Sequence, residues 1–438
     1  MARWMLESGF DVREGLLRAG LYLAMAGAAL GALPPAVAQE SLLEAPKPTR
    51  AVRSPALPDR LPAKPSQPPA FSVPVEPLGF SAPGPLYLGQ RNSIVSLDFL
   101  DEDRLLFTFR VPGLIRRDAS GEDARQIRAV VLTLPSGAVQ AEALWTVHDR
   151  QRYLWMLTGG RFLLRDRDNL EMGDATLELK PFLRFPGPVL WLGMDPAEKF
   201  LVTDTQEPAA SDGKEPGGQN SHGSDLAVRV VRRDSGQVML VSRTRSAVHL
   251  SINSDGYLAS LRSSGSEWML DLNYFSGGSN ILGRIDSTCS PLFDFLSERE
   301  VLVTGCTESG AGKLVAMTTD GRRLWEVQTS DKSIWPLVVK SPDGSRLARE
   351  ALAITHPVSA ISPIGQDDIK GQLVEVLDAA DGKVALQASA SPILDGGGNV
   401  AISPSGRRVA VLSGGAIQVF ELPPPSPLAD FATHPPAH

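Results

Sequence analysis

The chain is poor in cysteine and histidine and has no excess of positive charge. Its 438 residues hold two cysteines and six histidines, and 43 lysines and arginines stand against 50 aspartates and glutamates, a net charge of −7. No basic stripe is available to neutralise phosphates, which argues against nucleic acid as a partner. No Gly-x-Ser-x-Gly pentapeptide occurs, so the chain has no nucleophile elbow of the hydrolase kind. Only His434 and His438 stand one helical turn apart, and they lie among prolines that would not form a helix. "GCTESGAGKL" (305–314) has Thr307 and Leu314 where a phosphate loop needs Gly and Ser or Thr. "DFLDED" (98–103) lacks the Gly and closing Glu of a calcium loop, and reads as a solvated turn. No catalytic, cofactor-binding or metal-binding residue is assigned, and no cofactor is expected.

Long apolar runs are missing too, except at the N-terminus. Arg3, Arg13 and Arg18 precede "AGLYLAMAGAALGAL" (19–33) and the small residues "AVA" (36–38), the pattern of an export signal over 1–38. The run is shorter than the ~20 residues a spanning helix needs, which disfavours the alternative of an uncleaved anchor. No cysteine precedes Cys289, so lipidation after such a signal is not expected. The chain is therefore expected to be exported, periplasmic or secreted, with no membrane span after cleavage. Residues 39–84 are proline-rich and read as an extended, disordered linker; residues 423–438 read as a similar tail.

What the chain has in quantity is Gly 40 and Pro 35, as expected of many short strands joined by tight turns. Seven places show an alternating apolar run, a polar turn and a second alternating run, among them "LDFLDEDRLLFTF", "LSINSDGYLASL", "VVKSPDGSRLA" and "AISPSGRRVAVL". A second hairpin type follows several of them, with Ser-Gly or Asp-Gly at the turn, as in "VRVVRRDSGQVMLV" and "VAMTTDGRRLWEV". Two hairpins make a four-stranded sheet. The pattern predicts an all-β, seven-bladed β-propeller over 85–422, built of four-stranded antiparallel sheets, with six or eight blades as alternatives. The expected blades are 93–145, 146–181, 188–245, 247–286, 289–329, 335–390 and 394–422. Blade two reads as the least regular copy, and blade four as having a poor last strand in "SNILGRIDS". The last unit has three strands, so its open edge needs a fourth, and "PLYLGQ" (85–90) is the expected clasp.

"SPDGSRLA" and "SPSGRRVAVL" resemble the turn of exported surface-layer-type propeller repeats. "LVAMTTDGRRLWEV" is similar to the quinoprotein-type (PQQ-like) repeat, with Gly321 at the turn and Trp325 packing between blades. The chain departs from Trp-Asp (WD40-like) repeats, since it has neither a Gly-His pair nor a Trp-Asp dipeptide. The resemblance implies fold and leaves function open.

Cys289 and Cys306 flank the expected hairpin "CSPLFDFLSEREVLVTGC". A turn centred on Ser297 and Glu298 would set them opposite one another, close enough for a disulfide; two buried thiols are the alternative. The connection between second and third strands is long in three blades, at 111–126, 206–225 and 351–370, and in a ring this connection always opens on one face. The third carries Ile354, His356, Pro357, Val358, Ile361 and Ile364, apolar enough to contact a partner. His148 and His249 are expected on or beside innermost strands, as hydrogen-bonded core or channel residues rather than ligands. These features suggest a monomeric, non-catalytic binding or scaffold protein whose partner is a protein or polysaccharide of the cell envelope. The alternatives are a propeller enzyme, quinone-dependent or carbohydrate-acting, with its site in the channel mouth, and a spacer without a ligand.

Overall fold

A computed structural model describes residues 52–53, 61–62, 64–82, 94–113, 116–119, 121–207, 225–245, 247–308, 311–358, 364–394 and 396–426. The expected signal, most of the expected linker, Leu86 to Leu88 and residues 427–438 lie outside them. The chain divides into two compact units. One, Met1–Pro48 with Val358–Ile364, falls outside the described residues apart from Val358 and Ile364, and the fold below is that of the other.

Seven antiparallel sheets follow one another along the chain. Blade one is Val95–Phe99, Arg104–Arg110, Asp123–Thr133 and Ala138–Val147; blade two is Leu154–Leu157, Arg161–Asp166, Asn169–Gly173 and Lys180–Arg184. Blade three comprises Val189–Met194, Phe200–Glu207, Asp225–Arg232 and Val238–Thr244, and blade four Gly256–Ser264, Glu267–Tyr274 and Ser279–Asp286. Leu292–Ser297, Glu300–Cys306, Gly312–Thr318 and Arg323–Gln328 form blade five. Ser333–Lys340, Arg346–Ile354, Ile369–Asp378 and Val384–Ala390 form blade six. Blade seven is Val400–Ile402, Arg408–Ser413 and Ala416–Glu421, completed by Phe71–Pro74 from the N-terminal side. The seven-bladed β-propeller expected from the hairpin pattern is what the chain forms.

Period-two alternation explains why the sheets stack. In Arg104–Arg110, Leu105, Phe107 and Phe109 point into a cluster shared with blade seven, while Leu106 points into one shared with blade two. Five further seams repeat the arrangement, so that each buried cluster belongs to two neighbouring blades and none to a single sheet. A four-stranded sheet is too thin to bury both its faces; each face is covered only by its neighbour, and the ring must close for all to be covered. The cluster that joins first and last blades holds Val73, Leu97, Phe107, Ala410 and Val419.

Glycines sit where neighbouring blades touch. Gly321 has φ +90°, and a Cβ there would lie 2.3 Å from the carbonyl oxygen of Leu282 in blade four. The two Ser-Pro-x-Gly turns behave alike. Gly344 N–H donates to Ser341 O and Gly406 N–H to Ser403 O, both at 2.9 Å. A Cβ on Gly344 would meet Leu296 O at 2.3 Å, and one on Gly406 would meet Ser345 Oγ at 2.5 Å, each on the preceding blade. The turn repeats because left-handed backbone and close approach both demand glycine. Trp325 is fully buried, and its Nε1 donates to Ala379 O of blade six at 2.7 Å, so it packs between blades.

Three expectations need correction. The strand that completes blade seven is Phe71–Pro74, paired with Ala416–Glu421, inside the segment expected to be a disordered linker. Proline is tolerated on such an outer edge strand, and burial of Val73 and Val75 fixes the segment. Blade four is irregular at its innermost position, where a single bridge, Ile252 to Tyr257, replaces a strand; Ser279–Asp286 does pair as a strand, with one shift of register opposite Leu270 and Asp271. In blade five Ser297 pairs with Glu300, so the turn centres on Glu298 and Arg299, one residue later than expected. Two short segments add to the ring: Val52–Arg53 pairs in parallel with blade five's outermost strand, and Ser426 N–H donates to Asp378 Oδ2 at 2.8 Å.

Candidate functional site

Connections between second and third strands, together with those from blade to blade, emerge on one face of the ring. On this face the loop of blade one is tied to blade two by charge. Asp118 Oδ2 meets Arg167 Nη2 at 2.6 Å and His148 Nε2 at 3.4 Å, while His148 Nδ1 meets Asp166 Oδ2 at 3.0 Å. Arg150 Nη2 reaches Asp123 at 2.8 Å, and Arg125 Nη1 donates to His148 O at 3.0 Å. Next to them Arg165, almost fully buried, pairs with Asp149 at 3.1 Å and donates to Leu190 O at 2.9 Å. Burial pushes the Asp149 carboxyl up and the Arg165 guanidinium down, each opposed by the charge of the other. His148 thus belongs to the contact between blades one and two, following the outermost strand of blade one, as a hydrogen-bonded, half-buried residue.

The blade-six loop, residues 355–368, stands on a base organised by Asp368. Thr355 N–H donates to Asp368 O at 2.9 Å, and Thr355 Oγ1 donates to Asp368 Oδ1 at 2.9 Å. Gly365 N–H donates to Asp368 Oδ2 at 2.9 Å, and His356 Nε2 lies 3.3 Å from Oδ1. These donors hold the Asp368 carboxyl below the usual range. Of the six residues expected to contact a partner, Pro357 and Val358 are exposed, Val358 at 53%. His356 and Ile364 are half-buried, and Ile361 lies outside the described residues. Ile354 is a correction: it ends the second strand of blade six, a strand buried along its whole length, and is 1% exposed. Residues 208–224 of the long blade-three connection also lie outside the described residues. At its base Arg229 pairs with Glu207 and donates to Thr205 Oγ1. Cys289 and Cys306 are joined in a disulfide with Cα atoms 5.5 Å apart, on this face beside blade five.

The channel holds a second group of side chains that the hairpin pattern did not reveal. Innermost strands of blades one, two, six and seven contact their neighbours around the axis. Ser96 Oγ donates to Asp98 Oδ2 at 2.5 Å, and Lys340 Nζ pairs with Asp294 Oδ1 at 3.1 Å and donates to Phe295 O at 2.6 Å. Arg152, on the connection into blade two, lies within electrostatic reach of Asp98 in blade one and also of Asp294 in blade five. Arg152 is exposed to solvent. Loss of surrounding water pushes Asp98 up to about 6, against the Ser96 hydrogen bond and the Arg152 charge that pull it down. On the connection into blade four, His249 stacks on Trp191 with ring centres 4.9 Å apart, and burial lowers its pKa.

No family model matches the chain, and no curated protein matches it. Solved structures do. Acylaminoacyl peptidase of Pyrococcus horikoshii in its orthorhombic crystal form is 10% identical, with a TM-score of 0.44, over 74% of this chain and 50% of that one. The β-propeller domain of the Trilobed protease from Pyrococcus furiosus is 10% identical, with a TM-score of 0.42, over 77% of this chain and 99% of that one. TolB from Acinetobacter baumannii is 13% identical, with a TM-score of 0.36, over 73% of this chain and 80% of that one. The chain spans about half the length of the peptidase. These are likenesses of fold.

Proposed function

We propose that this chain is an exported, non-catalytic binding propeller whose partner, a protein of the cell envelope, docks on the face bearing the long loops. One observation carries the reading: Pro357 is exposed at the end of a segment whose base is fastened through Asp368. Apolar side chains on a fastened base lose little freedom when covered, which favours their use in recognition. The ion-paired loop of blade one supports the same face as a second preorganised rim. Export rests on the N-terminal signal pattern and agrees with the disulfide.

Site-specific photocrosslinking tests the reading. A photoreactive residue at Pro357 is compared with one at Val384, which follows the turn between third and fourth strands and so lies on the opposite face. In envelope fractions the expected result is a discrete protein adduct from position 357 and none from 384. Equal labelling from both positions, or adducts only with polysaccharide, would contradict it.

A further inference from the structure

We propose that His148 is a pH-sensitive latch: protonated, it fastens the loop of blade one to blade two, and deprotonated it gives up its hold on that loop. The inference concerns how the loop is held and stands whether or not a partner docks there. Backbone and ring fix this side chain together. His148 N–H donates to Asp166 Oδ1 at 2.8 Å, and its Nδ1 lies 3.0 Å from both oxygens of the same carboxylate, on blade two. The other ring nitrogen, Nε2, lies 3.4 Å from Asp118 Oδ2, on the loop of blade one. A neutral imidazole carries one N–H and a protonated one carries two, so only the charged ring can donate to both acids.

The loop that responds is itself built on Asp118. Arg116–Arg117 pairs with Asp123 and Ala124, and the turn between them closes through Asp118 N–H to Glu122 O at 2.9 Å and Gly121 N–H to Asp118 O at 3.0 Å. Glu122 N–H donates to Asp118 Oδ1 at 2.9 Å. One oxygen of Asp118 therefore holds the turn, and the other holds blade two. On that second oxygen Arg167 stands at 2.6 Å, and it also reaches Glu122 at 2.6 Å. Arginine keeps its charge at any pH in question, so Arg167 is the constant hold and His148 the variable one. In the neutral ring the proton stays on Nδ1, facing Asp166, and the Nε2 lone pair then faces the Asp118 carboxylate and repels it.

The other charges around the ring have partners of their own. Arg125 Nη1 donates to the carbonyls of His148 and Asp149, Arg165 pairs with Asp149, and Arg150 pairs with Asp123. Asp149 also accepts Arg167 N–H at 3.2 Å, and Glu171 stands within electrostatic reach of Asp166. Histidine is the side chain that ordinarily changes charge across neutrality. His148 is 15% exposed and the two carboxylates about a quarter, so protons reach the ring while solvent keeps each pair modest in strength.

Spin-label mobility beside Asp118 tests the proposal. Ala119 is exposed, and Ala119→Cys in the full chain, with the native disulfide oxidised, takes a nitroxide. Ser136→Cys, on the exposed turn between third and fourth strands of the same blade, is the control. Between about pH 5.5 and about pH 8 the ratio of ordered to mobile label at 119 should fall about two- to fivefold, the range of a partly exposed ion pair, and the label at 136 should not respond. His148→Gln should remove the response, although Asp98 and Asp204, pushed up to about 6, and Glu350, pushed up to about 8, still titrate in that variant. Asp118→Asn should remove it too, because an amide donates to the neutral ring as readily as it accepts from the charged one. If one variant fails to fold, the other carries the comparison. Equal or reversed mobility at the two pH values in the parent, or a response that survives in either folded variant, would overturn the proposal.

Discussion

Glu350 is the residue whose environment departs furthest from that of an ordinary carboxylate. It lies in the second strand of blade six, fully buried, with Gln372 Nε2 donating to its Oε2 at 2.8 Å and no partner for Oε1 among the described residues. Gln372 is in turn shared with Asn399 of the next connection, at 2.9 Å, so the group sits where blades six and seven meet. Burial raises its pKa from 4.5 to about 8. Between those values the unfolded chain releases a proton that the folded chain retains, so this group makes stability fall as pH rises, levelling off above about 8. Glu350→Gln should therefore be more stable than the parent near neutral pH, by on the order of 3 kcal/mol, and should lose that advantage as the medium is acidified toward 4.5. Chemical denaturation at the two pH values measures it; a difference that does not change with pH would contradict the assignment. Nothing in the sequence marks Glu350, since "LAREAL" reads only as the middle of a strand. The same is true of Asp98 and Arg152. One was read as part of a solvated acidic turn, and the other carries no pattern, because the ring brings together residues that no spacing rule connects.

Hairpins were the legible elements. Each Ser-Pro-x-Gly or Asp-Gly turn is written locally, in a glycine that must adopt positive φ and in alternation on both sides of it, so the turn and its two strands can be read together. Elements held by distant contacts were not. Phe71–Pro74 is four residues long and lies among prolines, and what makes it a strand is the edge offered by Ala416–Glu421. His148 follows a recognisable strand, but its partners Asp118 and Asp166 belong to two different blades. The blade-five hairpin joins both kinds of information. Its strands were readable, its register moved by one residue, and the disulfide formed because Cys289 lies in the lead-in segment, where Thr288 N–H donates to Cys306 O at 3.1 Å. The bond closes a separation of 17 residues, which the chain-entropy account values at about 3 kcal/mol. Replacing both cysteines by serine should cost about that much in denaturant unfolding, and the parent under reducing conditions should match the variant. Equal stability of parent and variant under oxidising conditions would show that the link restrains nothing.

At the scale of the whole molecule, the seven seams account for how the apolar faces are buried. Every buried cluster is shared by two blades, so removing any neighbour exposes a face, and the seam between blades seven and one decides whether the ring is closed. Several contacts of different kinds fasten it. Val73 and Val75 enter its core, Ser405 N–H donates to Glu102 Oε1 at 2.7 Å, and Arg408 Nη1 donates to Glu102 O at 2.6 Å. The acidic turn 98–103 therefore serves as a receptor for the last blade. Closure also gives the loops a common face, because only in a ring do equivalent connections of every sheet open in the same direction. The proposal for the loop face depends on it.

The most direct measurement is a cross-link at the closing strand. Ser72 and Gln418 are opposite one another in the pairing of Phe71–Pro74 with Ala416–Glu421. A chain carrying Ser72→Cys and Gln418→Cys should oxidise to a disulfide between these positions under native conditions and melt at a higher temperature than its reduced form. If the two thiols stay free in the folded protein, while a cysteine at Leu86 or Leu88 bonds to position 418 instead, the ring is closed by a different strand and the account of the fold is wrong.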